Sequence, residues 1–413
     1  MKDNSLKNII NRNTNYDTDV FVGIECINGR VRVSFPLGYR FYGDNDEDIR
    51  KDISLLIRTL TNNTEKRDSK YTRVNNVFDE VEEPIQSYIF IIQNYLSKGL
   101  YKEKEVTYIQ NNSGKINWDR TIKRQQPAIS NGNIYYLDLI TKKNQIKNDE
   151  LITQIHKYCV QVSFEKLWWL YLSYNPIKEK IELNDRLFRR VLNEKINSTF
   201  NDDSKLLFEH MLAIIERKSN NNDSIDYKYG TNSFEHVWEK MIDKTFGIKN
   251  KNIFFPKTSW YINGKQHNQT SLKPDTIMVN ENNLYVLDAK YYKYGETKNV
   301  NSLPGTDSIS KQIVYGEYAH NKVKNKYKNK INEVFNAFIL PHDKTKYGKE
   351  RFEYCGYATG DWKEGRNNSR YEYEKIQTIL LDVKDLMELH GRSKEIQNEL
   401  SDMIIQHSRK EEA

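Results

Sequence analysis

Cysteine, proline and long apolar runs are all scarce in this 413-residue chain, which carries 3 Cys and 8 Pro. Cys26, Cys159 and Cys355 stand far apart and form no CxxC pair. That argues against a zinc ribbon or a disulfide framework and suits a reducing compartment, so a cytoplasmic location is expected. A helix that crosses a bilayer needs about 18 or more consecutive apolar residues. No such run exists, and no membrane partner is expected. The opening residues, Met1-Lys-Asp-Asn-Ser-Leu6, lack the apolar stretch of a signal peptide. A GxxxxGK[ST] phosphate loop is also missing, and no internal repeat is present.

A strong charge of one sign is lacking as well. The 64 basic and 57 acidic residues leave a net charge of +7, a mildly basic balance that favours a polyanionic partner without requiring one. Aromatic residues are plentiful: 28 Tyr and 16 Phe supply much of the apolar surface for packed cores.

The length suggests more than one domain. Composition and periodicity suggest an N-terminal α+β domain over 1–135, a helical connection over 136–232 and a second α/β domain over 233–413. Val20–Glu25 and Arg30–Phe35 read as strands around Asn28-Gly29, a strong hairpin signal. Apolar stripes predict helices over 44–61, 83–100, 149–173, 184–197 and 204–218. His156 and His210 fall on such stripes without ligand-spaced partners and read as packed side chains. Gly114–Arg124 mixes basic residues, a Trp and β-branched residues. It reads either as a contact for nucleic acid or a partner protein, or as an ordinary amphipathic strand with a solvated face.

The chemistry concentrates between Pro274 and Tyr292. Thr276–Val279 and Leu284–Tyr291 read as two strands joined by the polar turn Asn280–Asn283. If Val279 opposes Leu284, counting back places Asp275 opposite Asp288. Such neighbours have Cβ atoms roughly 4.5–5.5 Å apart, where like charges repel. A divalent cation would compensate, and Lys290 lies on the same strand face as Asp288. Before the hairpin, Ser233–Gly247 predicts a capped helix with Phe234, Val237, Trp238 and Met241 on its buried stripe. Glu235 and Glu239 share its other side, one turn apart. After the hairpin, Leu303–Ser308 opens a helix carrying Lys311-Gln312. A second Asp-x-Lys, Asp382-Val383-Lys384, has no Pro-Asp on a partner strand and reads as a strand terminus.

Pro274-Asp275, Asp288-Ala289-Lys290 and the flanking helices resemble the PD-(D/E)XK nuclease core. More narrowly, Asp288–Tyr292, Leu303–Gln312 and Asn336–Pro341 are similar to the LlaJI-type restriction endonucleases, relatives of the McrC nuclease subunit. Gly114–Ile122 resembles an upstream element of that group. The resemblance implies a mixed central sheet flanked by helices and a Mg²⁺-dependent endonuclease of a restriction system acting on double-stranded DNA, with Mn²⁺ able to substitute. It implies that Asp275, Asp288 and the Ala289 carbonyl hold the metal, with Lys290 beside them. It also implies a helix carboxylate, assigned to Glu235 with Glu239 next in line, and a polar contact from Gln312 to phosphate or Lys290. Its partners would be a McrB-like GTPase, which must bring the missing phosphate loop, and a cognate DNA methyltransferase. A homodimer is compatible with this reading. A repair or recombination nuclease of the same fold, or a non-catalytic DNA-binding subunit, are the alternatives.

Overall fold

The computed structural model describes residues 6–15, 19–63, 84–111, 113–147, 151–171, 177, 181–220, 227–327, 330–347, 350–364, 371–389 and 391–410. They form a mixed α/β protein with several sheets. The chain divides into two units: Met1–Glu82 with Asp226–Ala413, and Glu83–Ile225. This division differs from boundaries at 135 and 232, and strand pairing is the reason. Strands β1 (Ile10–Arg12), β2 (Val22–Ile27) and β3 (Arg30–Phe35) precede helix α1 (Asp46–Asn63). A much later strand, β4 (Tyr227–Thr231), completes their sheet in the order β1-β3-β2-β4. The expected Asn28-Gly29 turn joins β2 to β3, with positive φ at both residues. Gly23 and Gly230 face each other across β2 and β4. A Cβ on either would lie 2.2 Å from a carbonyl oxygen of the opposite strand, so only glycine lets these backbones pair.

The same unit holds helix α2 (Phe234–Phe246), strands β5 (Thr276–Asn280) and β6 (Asn283–Ala289), helix α3 (Thr306–Lys322) and strands β7 (Glu333–His342), β8 (Phe352–Ala358) and β9 (Ile376–Asp382). Helices α4 (Val383–Glu388) and α5 (Lys394–Lys410) follow. The sheet order is β5-β6-β7-β9-β8. The central pairings β6–β7 and β7–β9 are parallel and the two edge pairings are antiparallel. Every residue of β7 after the first is buried, as a parallel strand covered on both faces must be. Ile277, Leu284, Val286 and Val334 pack with Tyr315 and Ala319 of α3 in one cluster. Trp238 of α2 donates from Nε1 to the Ile339 carbonyl of β7 at 3.3 Å.

Asp382-Val383-Lys384 ends β9, as expected, but its lysine is fully buried. Lys384 Nζ lies 2.9 Å from Asp52 Oδ1 of α1, both side chains being 0% exposed. Asp52 also accepts from the Tyr39 hydroxyl at 2.6 Å and from the Tyr42 backbone N–H at 3.0 Å. The Tyr42 ring lies under the ammonium, 2.8 Å from its centroid. Asp382 caps α4 by accepting from the Asp385 N–H at 2.8 Å.

The second unit stands on helices Ile85–Lys98, Leu151–Lys166, Asp185–Ser198 and Asp202–Asn220. It also has a three-stranded antiparallel sheet of Glu103–Gln110, Ile140–Lys147 and Lys115–Ile116. Gly114–Arg124 is not a strand throughout: Trp118–Arg124 is a helix, started by the Asn117 side chain accepting from the Arg120 N–H. His156 is buried, as expected, and its Nδ1 accepts from the Tyr101 N–H at 2.9 Å. Burial pushes its pKa down to about 4, so it packs as a neutral ring. His210 stacks on Phe90. Among the described residues no helix is long and apolar enough to cross a membrane.

The Asp52–Lys384 pair yields a test. Removing one partner leaves a charge buried alone, so Lys384→Met should cost about 3–5 kcal/mol in urea unfolding. Adding Asp52→Asn to it should cost much less than the two single losses summed. Strict additivity would show that the pair does not interact.

Candidate active site

The hairpin has the expected register. Val279 pairs with Leu284, Ile277 with Val286 and Thr276 with Leu287, around a two-residue turn in which Glu281 takes φ 50°. The next step back brings Asp275 alongside Asp288. Just past the ladder, Asp275 turns its side chain across the gap, and Oδ2 accepts from the Ala289 N–H at 3.0 Å. Its own carbonyl accepts from Lys251 Nζ at 2.6 Å, and that ammonium also pairs with Asp243 at 2.7 Å. Asp275 is therefore held from both ends.

Asp288 is 8% exposed and Lys290 Nζ lies 2.6 Å from its Oδ2. Burial works against the Lys290 ammonium, but the charge and hydrogen bond of Asp288 outweigh it and raise the pKa. Asp275 moves the other way from an ordinary carboxylate. Burial first, then the charges of Asp288 and Glu239, push it up to about 8. Two carboxylates this close in a low-dielectric site resist joint ionisation. Among the described residues no group of three or more His, Cys, Asp and Glu is arranged to hold a metal. What stands here is the pair Asp275 and Asp288, with Ala289 between Asp288 and Lys290.

Helix α2 supplies the neighbouring acid, and it is Glu239 that meets the pair. Burial raises the Glu239 pKa, His236 opposes this, and the charge of Asp288 adds to it. Glu235, the first expectation, sits in the first turn of α2, where its charge reaches Tyr291. Both glutamates share a helix side. Phe234, beside Glu235, packs on Tyr291 with ring centroids 5.3 Å apart, and Trp238 follows one turn on. It packs beside Tyr291, with ring centroids 6.4 Å apart, and bonds to β7. Gln312 is placed differently from the expected phosphate or lysine contact. It is 1% exposed, and its Nε2 donates to the Val286 carbonyl at 2.7 Å. Asn336 of β7 donates to the Gln312 carbonyl at 3.0 Å. Gln312 thus braces the strand two residues before Asp288. Its Oε1 is buried with no hydrogen-bond partner among the described residues.

Two residues at the site were not anticipated. Tyr315, three positions after Gln312 on α3, is buried, and its hydroxyl pKa rises through burial and then the charges of Asp288 and Asp275. Its spacing from Gln312 was the available signal, since positions i and i+3 share a helix face. Tyr291, next to Lys290, is buried, and its hydroxyl accepts from the Leu37 N–H at 2.6 Å. No local pattern announces a partner so distant in sequence.

Against this geometry, comparison with known proteins is informative. Residues 21–363 match the model of the LlaJI restriction endonuclease family, and the chain belongs to that family. A curated relative, the type II restriction enzyme BsuMI component YdjA of Bacillus subtilis (strain 168), is 26% identical over 260 residues. That match covers 59% of this chain and 55% of the relative, so the chain spans about half the relative's length. A solved assembly of Thermococcus gammatolerans McrB AAA+ hexamers with bound McrC aligns with 93% of this chain and 83% of its own, at 15% identity and a TM-score of 0.38. A score that low supports no conclusion about a shared fold.

The raised Asp275 carboxyl has a measurable sign. Its folded pKa lies above the ordinary 3.8, so ionising it penalises the fold. The penalty is absent at low pH, grows as pH rises and is complete above about pH 8. In chelator, Asp275→Asn should raise the melting temperature at pH 8 by a few degrees, and the gain should shrink toward pH 5. A lower melting temperature at pH 8 would show that the carboxylates are not crowded.

Proposed function

We propose that this chain is the nuclease of a restriction system, hydrolysing phosphodiester bonds of double-stranded DNA on a PD-(D/E)XK core with Mg²⁺, which Mn²⁺ can replace. The observation that carries the reading is the Asp275/Asp288 pair with Lys290 at 2.6 Å from Asp288. Family membership supports it. The donor set suits a hard divalent cation: carboxylate oxygens and a backbone carbonyl at Ala289. Burial and, after it, the charges of Asp288 and Glu239 raise Asp275, and a cation would offset both.

Asp275, Asp288 and the Ala289 carbonyl would hold the ion, with Glu239 beside them in preference to Glu235. Bound there, a divalent cation acidifies a water and neutralises charge on the phosphate. Lys290 stays protonated and donates. It orients the attacking water or stabilises the oxygens of the phosphate as charge builds. Asp288 keeps that ammonium in place. Gln312 and Asn336 hold β6 at the height where Asp288 reaches the site, and Tyr315 closes the apolar side against bulk water.

The partner in this reading is a McrB-like GTPase, which would supply the phosphate loop that this sequence lacks. The relative's description as a component of a restriction enzyme supports a multi-subunit system. A cognate methyltransferase belongs to the same reading. It would protect the host's own sites in a defence against phage.

Cleavage of unmodified duplex DNA by the chain, with candidate GTPase and Mg²⁺, tests the proposal. Asp288→Ala and Lys290→Ala should each lower the rate at least about a hundredfold. Glu239→Gln should weaken metal-dependent cleavage more than Glu235→Gln. Variants of Asp288 and Lys290 that cut as fast as the parent would sink the reading.

A further inference from the structure

Between α2 and β5 the chain runs from Asp243 to Asp275 without a single carboxylate, while six lysines occur: Lys244, Lys249, Lys251, Lys257, Lys265 and Lys273. In the middle of this stretch Ser259–Ile262 and Lys265–Asn268 form an isolated antiparallel hairpin. Its turn is Asn263-Gly264, with φ 49° and 73°. Among the described residues no third strand joins it, and a two-stranded ribbon is marginal in water and needs a clamp. The clamp lies at its root, where the Gln269 N–H donates to the Thr258 carbonyl at 2.8 Å and the Leu272 N–H to the Pro256 carbonyl at 2.9 Å. Leu272 then packs into the core cluster with Phe254. Two residues on, Pro274 is buried and Asp275 begins the site.

The tip is unusual in what it leaves in solvent. Trp260 is 63% exposed, Tyr261 75% and Ile262 51%. Adjacent strand residues point to opposite faces, so large apolar side chains stand uncovered on both faces of the ribbon. A flat partner could cover only one face. A nucleic-acid groove encloses both, and the major groove is wide enough to admit a two-stranded β-ribbon. Lys257, Lys265 and Lys273 are exposed, and the sequence between Asp243 and Asp275 holds no acid to oppose a phosphate.

We propose that the hairpin Ser259–Asn268 enters the major groove of double-stranded DNA, with Trp260 and Tyr261 against the groove and Lys257, Lys265 and Lys273 on the flanking phosphates. It acts as a rigid arm that brings the duplex to Asp275. This rests on the nuclease reading for its substrate, but it concerns binding and not hydrolysis.

The test is fluorescence anisotropy of a labelled duplex titrated with the full-length chain in Ca²⁺, across a range of salt. Trp260→Ala with Tyr261→Ala should weaken binding about tenfold or more. Lys257→Gln with Lys265→Gln and Lys273→Gln should flatten the salt dependence, by up to about 3 in the slope of log affinity against log salt. Both sets replace exposed side chains, so the melting temperature should hold. Methyl green, which occupies the major groove, should compete, and competition by netropsin alone would overturn the groove assignment. Binding within twofold of the parent by either set overturns the proposal. So do a parent chain that does not bind duplex, and variants that lose only self-association. Asp288→Ala separates the two claims. It should not cleave whatever the hairpin does, so failure of the hairpin variants to lose binding would leave the nuclease reading untouched.

Discussion

The pairing register between β5 and β6 is the constraint on which the site depends. Side chains alternate along a strand, so a slip of one residue would carry Asp288 to the opposite face and end its meeting with Asp275. Several independent contacts resist that slip. Leu284 and Val286 are committed to the cluster under α3. Gln312 grips the Val286 carbonyl and Lys251 grips the Asp275 carbonyl. These groups hold two carboxylates together, and burial first, then the charges of Asp288 and Glu239, raise Asp275 to about 8. A site that buries such groups together is destabilising by itself.

The surrounding unit is arranged to bear that load. The described residues before Asn63 belong to the unit that carries the site. Tyr291, next to Lys290, takes the Leu37 N–H on its hydroxyl, and Asn15 donates to the Tyr291 carbonyl at 3.2 Å. Farther along, the Asp52–Lys384 pair anchors α1. A buried ion pair contributes little net stability against an apolar alternative, yet it penalises every arrangement that leaves one partner alone. It therefore favours one way of docking the N-terminal segment.

Local signals in the sequence carried much of this. Helix stripes, the Asn28-Gly29 turn and the hairpin register follow from periodicity and turn chemistry, and the structure has them. What periodicity could not express was choice among equivalents. Glu235 and Glu239 lie on one helix side, and it is the charge of Glu239 that reaches Asp275. A glutamine on a helix reads as surface, yet Asn336 on β7 gives Gln312 a polar partner inside the core. β-branched residues in Gly114–Arg124 suggested a strand, and the cap at Asn117 turned part of it into a helix. The discontinuous unit left no local trace, because the pairing of β2 with β4 joins distant segments through two glycines.

The central claim is that the opposed carboxylates exist to hold a divalent cation. Calorimetric titration of Mn²⁺ into the folded chain with duplex DNA present addresses it directly. The account predicts saturable binding that is lost in Asp275→Ala and in Asp288→Ala while both variants stay folded. A parent protein that binds no metal, or variants that bind it as the parent does, would contradict it.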